Sequence, residues 1–221
     1  SSSFVITLLA PELFPEPLES DAILPEPALI EDMADWVYGT PASDGSTVVD
    51  LVLLYTPAAA AGTEDINLYI DTAMAVANQA LANSGVTHRY ELLYAAQTSY
   101  SESSSLSTDL FRLANSTDGY MDEAWTLADS YGADLVHLFR SSGGGYCGVA
   151  YRPTSFPSVG AGFGVTTVNC ATQNLSFPHE LGHNLGANHD PLNSSGTPYP
   201  DYSYGWQDTA GVFRSVMAYY N

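Results

Sequence analysis

Three histidines and one glutamate lie close together between residues 179 and 189, in the sequence HELGHNLGANH. If this stretch begins as a helix, His179 and His183 are four residues apart and share one face, so both imidazoles can reach one metal ion. Glu180 lies about 100° further around the helix axis, close enough to contact a water molecule at the metal without binding the metal. The spacing therefore indicates a metal site with a carboxylate beside it.

A third histidine can reach the same metal if the chain reverses after the helix. Gly186 permits a left-handed turn that ends the helix, and His189 follows three residues later. Pro178 suits the first turn of the helix, and Ser176 is predicted to cap it. Three neutral imidazoles leave one position of a tetrahedral zinc site open, which is typical of catalytic zinc. Glu180 could then accept a proton from water that the zinc has acidified.

Alternating strand and helix patterns from residue 47 onward predict an α/β domain with a largely parallel sheet. The nearly unbroken apolar run VVDLVLLY at 48–55 fits a strand that is buried on both faces. His88 and His137 lie in strand-like runs, where we expect ordinary core or surface histidines. The other predicted strands are 88–96, 135–139, 148–151 and 164–168, and the predicted helices are 65–84, 106–114 and 121–131.

Residues 1–46 differ in composition from the rest of the chain. They carry nine acidic residues, six prolines and no basic residue. Proline at this density prevents long helices and favours extended segments. Apolar residues at 4–9 and 36–38 predict that part of the segment packs on the following domain. We interpret residues 1–46 as the remnant of a propeptide, with a flexible acidic tail as the alternative.

The charge of the chain is extreme, because five arginines, no lysine and 25 acidic residues give a net charge of −20. A surface this acidic repels nucleic acid and anionic membranes. No apolar run reaches the ~18 residues of a membrane span. We therefore expect neither nucleic acid nor a membrane as a partner. The charge is consistent with a secreted protein that must remain soluble.

Cys147 and Cys170 are the two cysteines of the chain. They could form one disulfide, remain as buried thiols or bind a metal, but they lack the C-x-x-C spacing of a zinc knuckle. In a secreted protein we expect the disulfide. Its closed loop would contribute roughly 3 kcal/mol to stability.

The motif H-E-x-x-H-x-x-G-x-x-H followed by a methionine turn resembles the metzincin zinc endopeptidases. The turn is the sequence SVMAY, in which Met217 stands 28 residues after His189. Asp190 after the third histidine and the GVAY run at 148–151 are similar to the adamalysin and reprolysin group. Tyr219, two residues after Met217, resembles the astacins and serralysins instead. The combination looks most like bacterial reprolysin-like secreted endopeptidases, including those that cleave beside aspartate.

This resemblance implies a metzincin-type α/β catalytic domain over residues 47–221, with a mixed, mostly parallel twisted sheet, long helices and one catalytic zinc ion. A metzincin C-terminal helix would have to lie beyond Asn221. The resemblance assigns three zinc ligands, a general base and three supporting residues. These are, in that order, His179, His183 and His189; Glu180; and Met217, Asp190 and Gly186.

The resemblance also implies how a peptide or protein substrate would bind. An extended peptide would pair with an edge strand and lay its scissile carbonyl over the zinc. Tyr219 would hydrogen-bond the oxyanion, or bind zinc in the resting enzyme. A disulfide between Cys147 and Cys170 would fasten this edge strand to the entry of the zinc helix. The edge-strand residues are Gly148, Val149, Ala150 and Tyr151.

A preference for aspartate after the cleaved bond would require a cation in the pocket, because an unpaired buried charge is costly. Arginine can bind a carboxylate through two parallel hydrogen bonds. Arg214, three residues before Met217, and Arg152, at the end of the edge strand, are the candidates. We favour Arg214.

Two further hypotheses remain. In the first, the protein is a latent or product-bound form in which residues 1–46 occupy the cleft as an inhibitor, and Asp32 or Asp35 could bind the zinc. In the second, the chain is a metal-dependent binding module without turnover, although a purely structural site would not need Glu180. Calcium binding is possible but not indicated, since no D-x-D-x-D-G loop is present.

Overall fold

The structure is a computed structural model that describes residues 22–25, 48–153 and 160–219. Within these ranges, six strands form one sheet and five helices accompany it. The strands are β1 (Ala22–Pro25), β2 (Val48–Tyr55), β3 (Arg89–Gln97), β4 (Leu135–Arg140), β5 (Gly148–Arg152) and β6 (Phe163–Thr167). The helices are α1 (Pro57–Ala61), α2 (Ile66–Asn83), α3 (Leu106–Leu113), α4 (Glu123–Tyr131) and α5 (Ser176–Asn184).

The strand order in the sheet is β1-β5-β6-β4-β2-β3. Strands β6, β4, β2 and β3 are parallel to one another, as expected for strands joined by crossover helices. Strand β5 runs antiparallel to β6, and β1 pairs in parallel with β5. The prediction of a mixed, mostly parallel sheet is therefore confirmed.

The sheet is covered by apolar side chains on both faces. In β2, Leu51 and Leu53 pack into a core shared with α2 and α5, whereas Val52 and Leu54 pack into a second core with α3 and α4. All four are completely buried. Successive side chains of a strand alternate between faces, so a continuous apolar run is what a doubly covered strand requires.

Most helix boundaries fall within two residues of the predicted ones. Helix α2 begins after Asp65, whose carboxylate accepts hydrogen bonds from the N–H groups of Asn67 and Leu68. The predicted cap of α5 is wrong. Ser176 is the first helical residue, and Leu175 before it takes the cap position in a left-handed conformation with φ 60°.

Several predictions about the N-terminal segment lie outside the described residues. These are the domain boundary near residue 46, the apolar contacts at 4–9 and 36–38, and the possible zinc ligands Asp32 and Asp35. In the described ranges, no helix combines the length and apolar character needed to cross a membrane.

Candidate active site

Three buried imidazoles converge on one point: two belong to helix α5 and the third follows it in the chain. The Nε2 atom of His189 lies 3.1 Å from Nε2 of His183 and 3.1 Å from Nε2 of His179. Among the described residues, this is the only group of three or more His, Cys, Asp or Glu side chains that could hold a metal ion. The structure thus brings together the three residues that the sequence motif predicts as ligands.

Backbone carbonyls fix the tautomers of the two helical histidines. His179 Nδ1 lies 2.8 Å from Val216 O, and His183 Nδ1 lies 2.8 Å from Ala187 O. A carbonyl can only accept, so each Nδ1 carries the hydrogen and donates it. The Nε2 lone pairs of both rings therefore point into the cluster. Two such lone pairs beside the Nε2 atom of a third imidazole fit a cation such as zinc.

Burial lowers the pKa of the two helical imidazoles and so keeps them neutral. It lowers the pKa of His179 to about 4, and the positive charge of Arg214 acts in the same direction. Burial also lowers the pKa of His183 far below its usual value, and the neighbouring His179 and His189 contribute to this shift. Neutral imidazole is the form that binds metal, so the site is ready for a cation at neutral pH.

Gly186 turns the chain from α5 towards the third histidine. Its φ is +97°, a left-handed value that glycine adopts without strain. Its N–H donates to His183 O at 2.8 Å, and a Cβ at this position would overlap the carbonyl oxygen of Tyr199. The side chain of Asn188 then accepts a hydrogen bond from the N–H of His189 at 2.9 Å. The predicted turn is present where the sequence places it.

The carboxylate of Glu180 lies against the first residue of strand β5. Glu180 follows His179 on α5 and is completely buried. A Cβ added to Gly148, the first residue of β5, would overlap the carboxylate of Glu180. Glycine at position 148 therefore allows the sheet to approach this carboxylate closely.

The methionine turn packs against the middle of α5. Ala218 N donates to Ser215 O at 3.1 Å and closes the turn. The sulfur of Met217 lies against Gly182, where any larger residue would overlap it. Gly182 stands directly before His183, so Met217 packs on α5 next to a residue that carries a proposed zinc ligand.

Asp190 joins the third histidine to the end of the methionine turn. Its Oδ2 accepts hydrogen bonds from Tyr219 N at 3.2 Å and from Asn193 Nδ2 at 2.9 Å. Burial alone would raise the pKa of Asp190, but these hydrogen bonds and one from Leu192 N lower it, so the carboxylate remains ionised. The Tyr219 hydroxyl reaches the histidine cluster and lies 3.0 Å from His189 Nε2.

The two candidate arginines occupy different places. Arg214 Nη1 donates to Ala218 O at 2.5 Å and to Ser215 O at 3.4 Å, beside the methionine turn. Arg152 is buried, and its guanidinium donates to Thr197 O at 2.9 Å and Ser195 O at 3.3 Å. Arg152 therefore holds the loop after the third histidine, whereas Arg214 lies next to the proposed zinc ligands.

Asn184 is a site residue that the sequence prediction missed. Its Nδ2 group lies within hydrogen-bond distance of three carbonyl oxygens, those of Tyr151 at 2.9 Å, Ala161 at 2.7 Å and Phe163 at 2.9 Å. It thereby connects α5 to β5 and β6. A signal was available, because Asn184 continues the buried face of α5 that Phe177 and Leu181 begin at helical spacing.

A disulfide and a neighbouring strand complete the surroundings of β5. Cys147 and Cys170 are bonded, with their Cα atoms 5.4 Å apart, and they tie the start of β5 to the segment before α5. This confirms the predicted disulfide. The outer edge of β5, which was predicted to receive a peptide, carries β1, with Ala22 opposite Val149 and Pro25 opposite Arg152.

Comparisons with known proteins agree with this geometry. The family model described as metallo-peptidase family M12B, reprolysin-like, matches residues 67–190. The peptidyl-Asp metalloendopeptidase of Stenotrophomonas maltophilia strain R551-3 is 35% identical over 184 residues, which are 82% of this chain and 42% of that protein. The protein of the same name from Xanthomonas campestris pv. campestris is 35% identical over 80% of this chain and 42% of its own length. The chain thus spans about two fifths of the length of these curated relatives.

A solved structure titled as a chaperone–substrate complex shares the fold. Its TM-score is 0.60 at 18% identity, over 80% of this chain and 31% of that chain. At this identity the likeness concerns the fold alone. The family model, by contrast, covers more than half of the 221 residues and includes all three histidines of the cluster. The chain therefore belongs to the reprolysin-like M12B family of metallopeptidases.

Proposed function

We propose that this chain is the catalytic part of a secreted zinc endopeptidase that prefers aspartate after the cleaved bond. One observation carries the proposal: three imidazole nitrogens converge on one point, and the next residue after His179 is Glu180, whose buried carboxylate lies against strand β5. A purely structural zinc site would have four protein ligands and no need of an adjacent carboxylate.

His179, His183 and His189 would hold the zinc. When bound, zinc supplies Lewis-acid chemistry, which polarises the scissile carbonyl and acidifies water. Glu180 would accept the proton of the attacking water and pass it to the leaving amine.

Tyr219 would stabilise the negative charge that develops on the substrate carbonyl oxygen. Its hydroxyl lies 3.0 Å from His189 Nε2, at the histidine cluster. A positioned hydroxyl donor of this kind is a common form of oxyanion stabilisation. Strand β5 would bind the substrate backbone as an added strand and so hold the scissile bond near Glu180.

The aspartate preference rests on the names of the relatives together with the position of Arg214. The relatives are named peptidyl-Asp metalloendopeptidases. Arg214 donates to Ala218 O in the methionine turn, and Val216 O of the same turn lies 2.8 Å from Nδ1 of His179. A guanidinium has five N–H donors, so Arg214 can bind a carboxylate while it also donates to Ala218 O. In a chain of net charge −20, a cation is needed to receive an acidic side chain.

The test is hydrolysis of casein and of a peptide library by the purified protein loaded with one equivalent of zinc. We expect cleavage that a chelator abolishes and that zinc restores. Glu180→Gln should lose at least ~100-fold in kcat while binding zinc as the wild type does. Full activity of the Gln variant would exclude Glu180 as the general base. Zinc binding without any hydrolysis, even after proteolytic removal of residues 1–46, would favour a binding module.

A second candidate function is latency, and the pairing of β1 with β5 favours it. Residues 22–25 occupy the stretch of β5 from Val149 to Arg152 that a substrate backbone would use. Ile23→Pro would remove a backbone donor from β1, so activity should rise if β1 blocks the edge. Ile23→Val keeps the backbone N–H and is the matched control. Equal rates for both variants and the wild type, before and after proteolytic removal of residues 1–46, would exclude inhibition.

Secretion is supported by the disulfide and the high negative charge. Disulfides persist in oxidising compartments and are rare in the cytosol. The corresponding measurement is the distribution of the protein between cells and medium in the host. Protein retained in the cytosol with two titratable thiols would contradict secretion.

A further inference from the structure

One ring nitrogen of the buried His137 lacks a hydrogen-bond partner. The residue lies in β4, and its ring packs edge-on against Phe139 and Phe177. Its Nε2 lies 2.8 Å from Thr166 Oγ1 in the neighbouring strand β6. Its Nδ1 is buried and makes no hydrogen bond to any residue that the structure describes. Most buried side-chain polar atoms in proteins have a partner, so this nitrogen points to a contact beyond packing.

The amide of Asn184 has a second buried atom of this kind. Its Nδ2 group lies 2.7–2.9 Å from three carbonyl oxygens, and because a carbonyl can only accept, the amide nitrogen must lie on that side. The oxygen Oδ1 therefore faces away from these carbonyls. It is buried and receives no hydrogen bond from the part of the chain that the structure describes. Asn184 directly follows His183, so this amide lies beside a proposed zinc ligand.

Gly164 of β6 shows that the two atoms are neighbours. A Cβ built on Gly164 would lie 2.7 Å from His137 Nδ1 and 3.4 Å from Asn184 Oδ1. Both atoms are therefore within 3.4 Å of one point beside the backbone of β6. Because glycine has no Cβ, no side-chain atom of residue 164 separates the ring from the amide.

The chemistry of the neighbouring groups decides which ring nitrogen carries the hydrogen. Burial lowers the pKa of His137 to about 3, so the imidazole is neutral and has one N–H. The hydroxyl of Thr166 can either donate to Nε2 or accept from it, whereas Oδ1 of Asn184 can only accept. The Nδ1–H tautomer therefore provides a donor for Asn184 and also keeps the bond to Thr166.

We propose that His137 is a positioning residue for the catalytic centre: its Nδ1–H donates to Oδ1 of Asn184, directly or through one ordered water molecule, and so fixes the amide that joins α5 to β5 and β6. A single buried water is a common bridge between polar groups that lie slightly too far apart for direct contact. This inference rests on the proposed endopeptidase function. His137 acts through Asn184 and not on the substrate itself.

The other partner of His137 lies opposite the part of β5 that would bind substrate. Thr166 pairs with Gly148 across the antiparallel ladder of β5 and β6. Gly148 in turn lies against the carboxylate of Glu180. A histidine that binds Thr166 through one nitrogen and Asn184 through the other therefore ties β6 to α5. These are the two elements on which the position of β5 relative to the proposed zinc ligands depends.

The first test determines the tautomer directly. Nitrogen NMR of isotope-labelled, zinc-loaded protein distinguishes a protonated Nδ1 from a protonated Nε2, and contacts with the rings of Phe139 and Phe177 assign the signals of His137. We expect the Nδ1–H form at neutral pH. The Nε2–H form would overturn the proposal, because the ring would then have no hydrogen to donate to Asn184. This measurement needs no variant, so it remains decisive even if replacements of this buried residue prevent folding.

Two amide replacements separate the hydrogen bond from packing. The short side chain of His137→Asn places an N–H donor near the position of Nδ1, whereas His137→Gln reaches the position of Nε2 and Thr166. Both remove the aromatic ring, so both should lower the urea midpoint. Only His137→Gln should also raise KM, by about fivefold for one lost hydrogen bond, with kcat and zinc content close to those of the wild type. Equal KM values for the two variants would show that His137 acts by packing alone.

Gly164→Ala interrupts the contact while both polar side chains remain. The added Cβ would meet the ring nitrogen and the amide oxygen, so KM should rise as in His137→Gln and the His137 nitrogen signals should shift. Gly62→Ala, whose Cβ would make only ordinary contacts at the end of α1, is the control. A folded Gly164→Ala protein with wild-type KM and unshifted signals would contradict the contact. If the zinc-loaded wild type cleaves no peptide, the proposed function fails, whereas the tautomer of His137 still decides the hydrogen bond.

Discussion

The amide group of Asn184 lies 2.9 Å from the carbonyl oxygen of Tyr151 and thus joins helix α5 directly to strand β5. The same Nδ2 also reaches Ala161 O and Phe163 O. One side chain therefore sets the distance between the strand that would bind substrate and the helix that carries the histidines.

Asn184→Leu should weaken both stability and substrate binding. The change leaves three buried carbonyls without this donor, at a cost of at least about 2 kcal/mol, and it loosens β5 from α5. We expect a lower urea midpoint and a raised KM, with zinc content close to one per chain. Asn83→Leu, at the exposed end of α2, is the matched control. A KM unchanged from wild type would mean that other contacts hold β5.

Tyr219→Phe should lower kcat by about 10²–10³-fold, the usual effect of removing a donor to an oxyanion. The phenylalanine ring keeps the packing against His189 and removes only the hydroxyl. Zinc content should therefore stay the same. Tyr202→Phe, at an exposed site in the preceding loop, provides the comparison. Wild-type turnover in the Tyr219 variant would assign no catalytic role to its hydroxyl.

Arg214→Ala should remove the preference for aspartate after the cleaved bond. The carboxylate would lose a charged partner, so kcat/KM for Asp peptides should fall by at least tenfold, given about 1.5–3 kcal/mol for a charged hydrogen bond. Cleavage of peptides with alanine at that position should persist. Arg89→Ala, which breaks an exposed ion pair with Glu91, is the control. If Arg152→Ala, in a protein that remains folded, erased the preference and Arg214→Ala did not, our choice between the two arginines would be wrong.

Acidification should destabilise the metal-free protein between pH 6.5 and about 4. Burial lowers the pKa of His137 to about 3 and that of His179 to about 4, whereas in the unfolded chain both titrate near their usual value. The unfolded state therefore binds protons first as the pH falls, so the stability present above pH 6.5 is lost. Each such histidine contributes a slope of about 1.4 kcal/mol per pH unit.

His137 allows this effect to be measured apart from the metal ligands. Its imidazole is buried against Phe139 and Phe177 and bonds Thr166 Oγ1 at 2.8 Å, as expected for a core histidine. In chelator-treated protein, His137→Leu should reduce the slope of unfolding free energy against pH by about 1.4 kcal/mol per pH unit, the contribution of one histidine. An unchanged slope would show that His137 titrates normally in the folded state.

Reduction of the disulfide should cost roughly 3 kcal/mol of stability, from the entropy of the loop that it closes. The double variant Cys147→Ser/Cys170→Ser should show this loss in urea denaturation. Because Cys147 directly precedes β5, KM should rise more than kcat falls. Equal stability of the oxidised and reduced proteins would contradict this estimate.

The sequence alone predicted the histidine cluster, because its three members lie within eleven residues and their arrangement depends on one helix and one turn. Two histidines four apart on a helix must share a face, and a glycine three residues before His189 permits the reversal that brings it back. The alternation of strands and helices likewise predicted the fold class, since continuous apolar runs are stable only as strands covered on both faces. The prediction of Ser176 as the cap of α5 was wrong, because Leu175 adopts a left-handed conformation and takes the cap position. The sequence pattern does not reveal that backbone conformation.

Other parts of the site were decided only by the tertiary structure. Asn184 is polar in the sequence, and its three carbonyl partners come from β5, from β6 and from the segment just before β6. In the sequence, residues 104–107 look like an ordinary polar loop. Their position is set by Arg140 at the end of β4, which binds Ser103 and Asp109 on either side of them. The pairing of β1 with β5 was likewise decided only by the tertiary structure. Pairing between segments more than a hundred residues apart depends on which sheet edge remains exposed after folding, and local patterns carry no information about that choice.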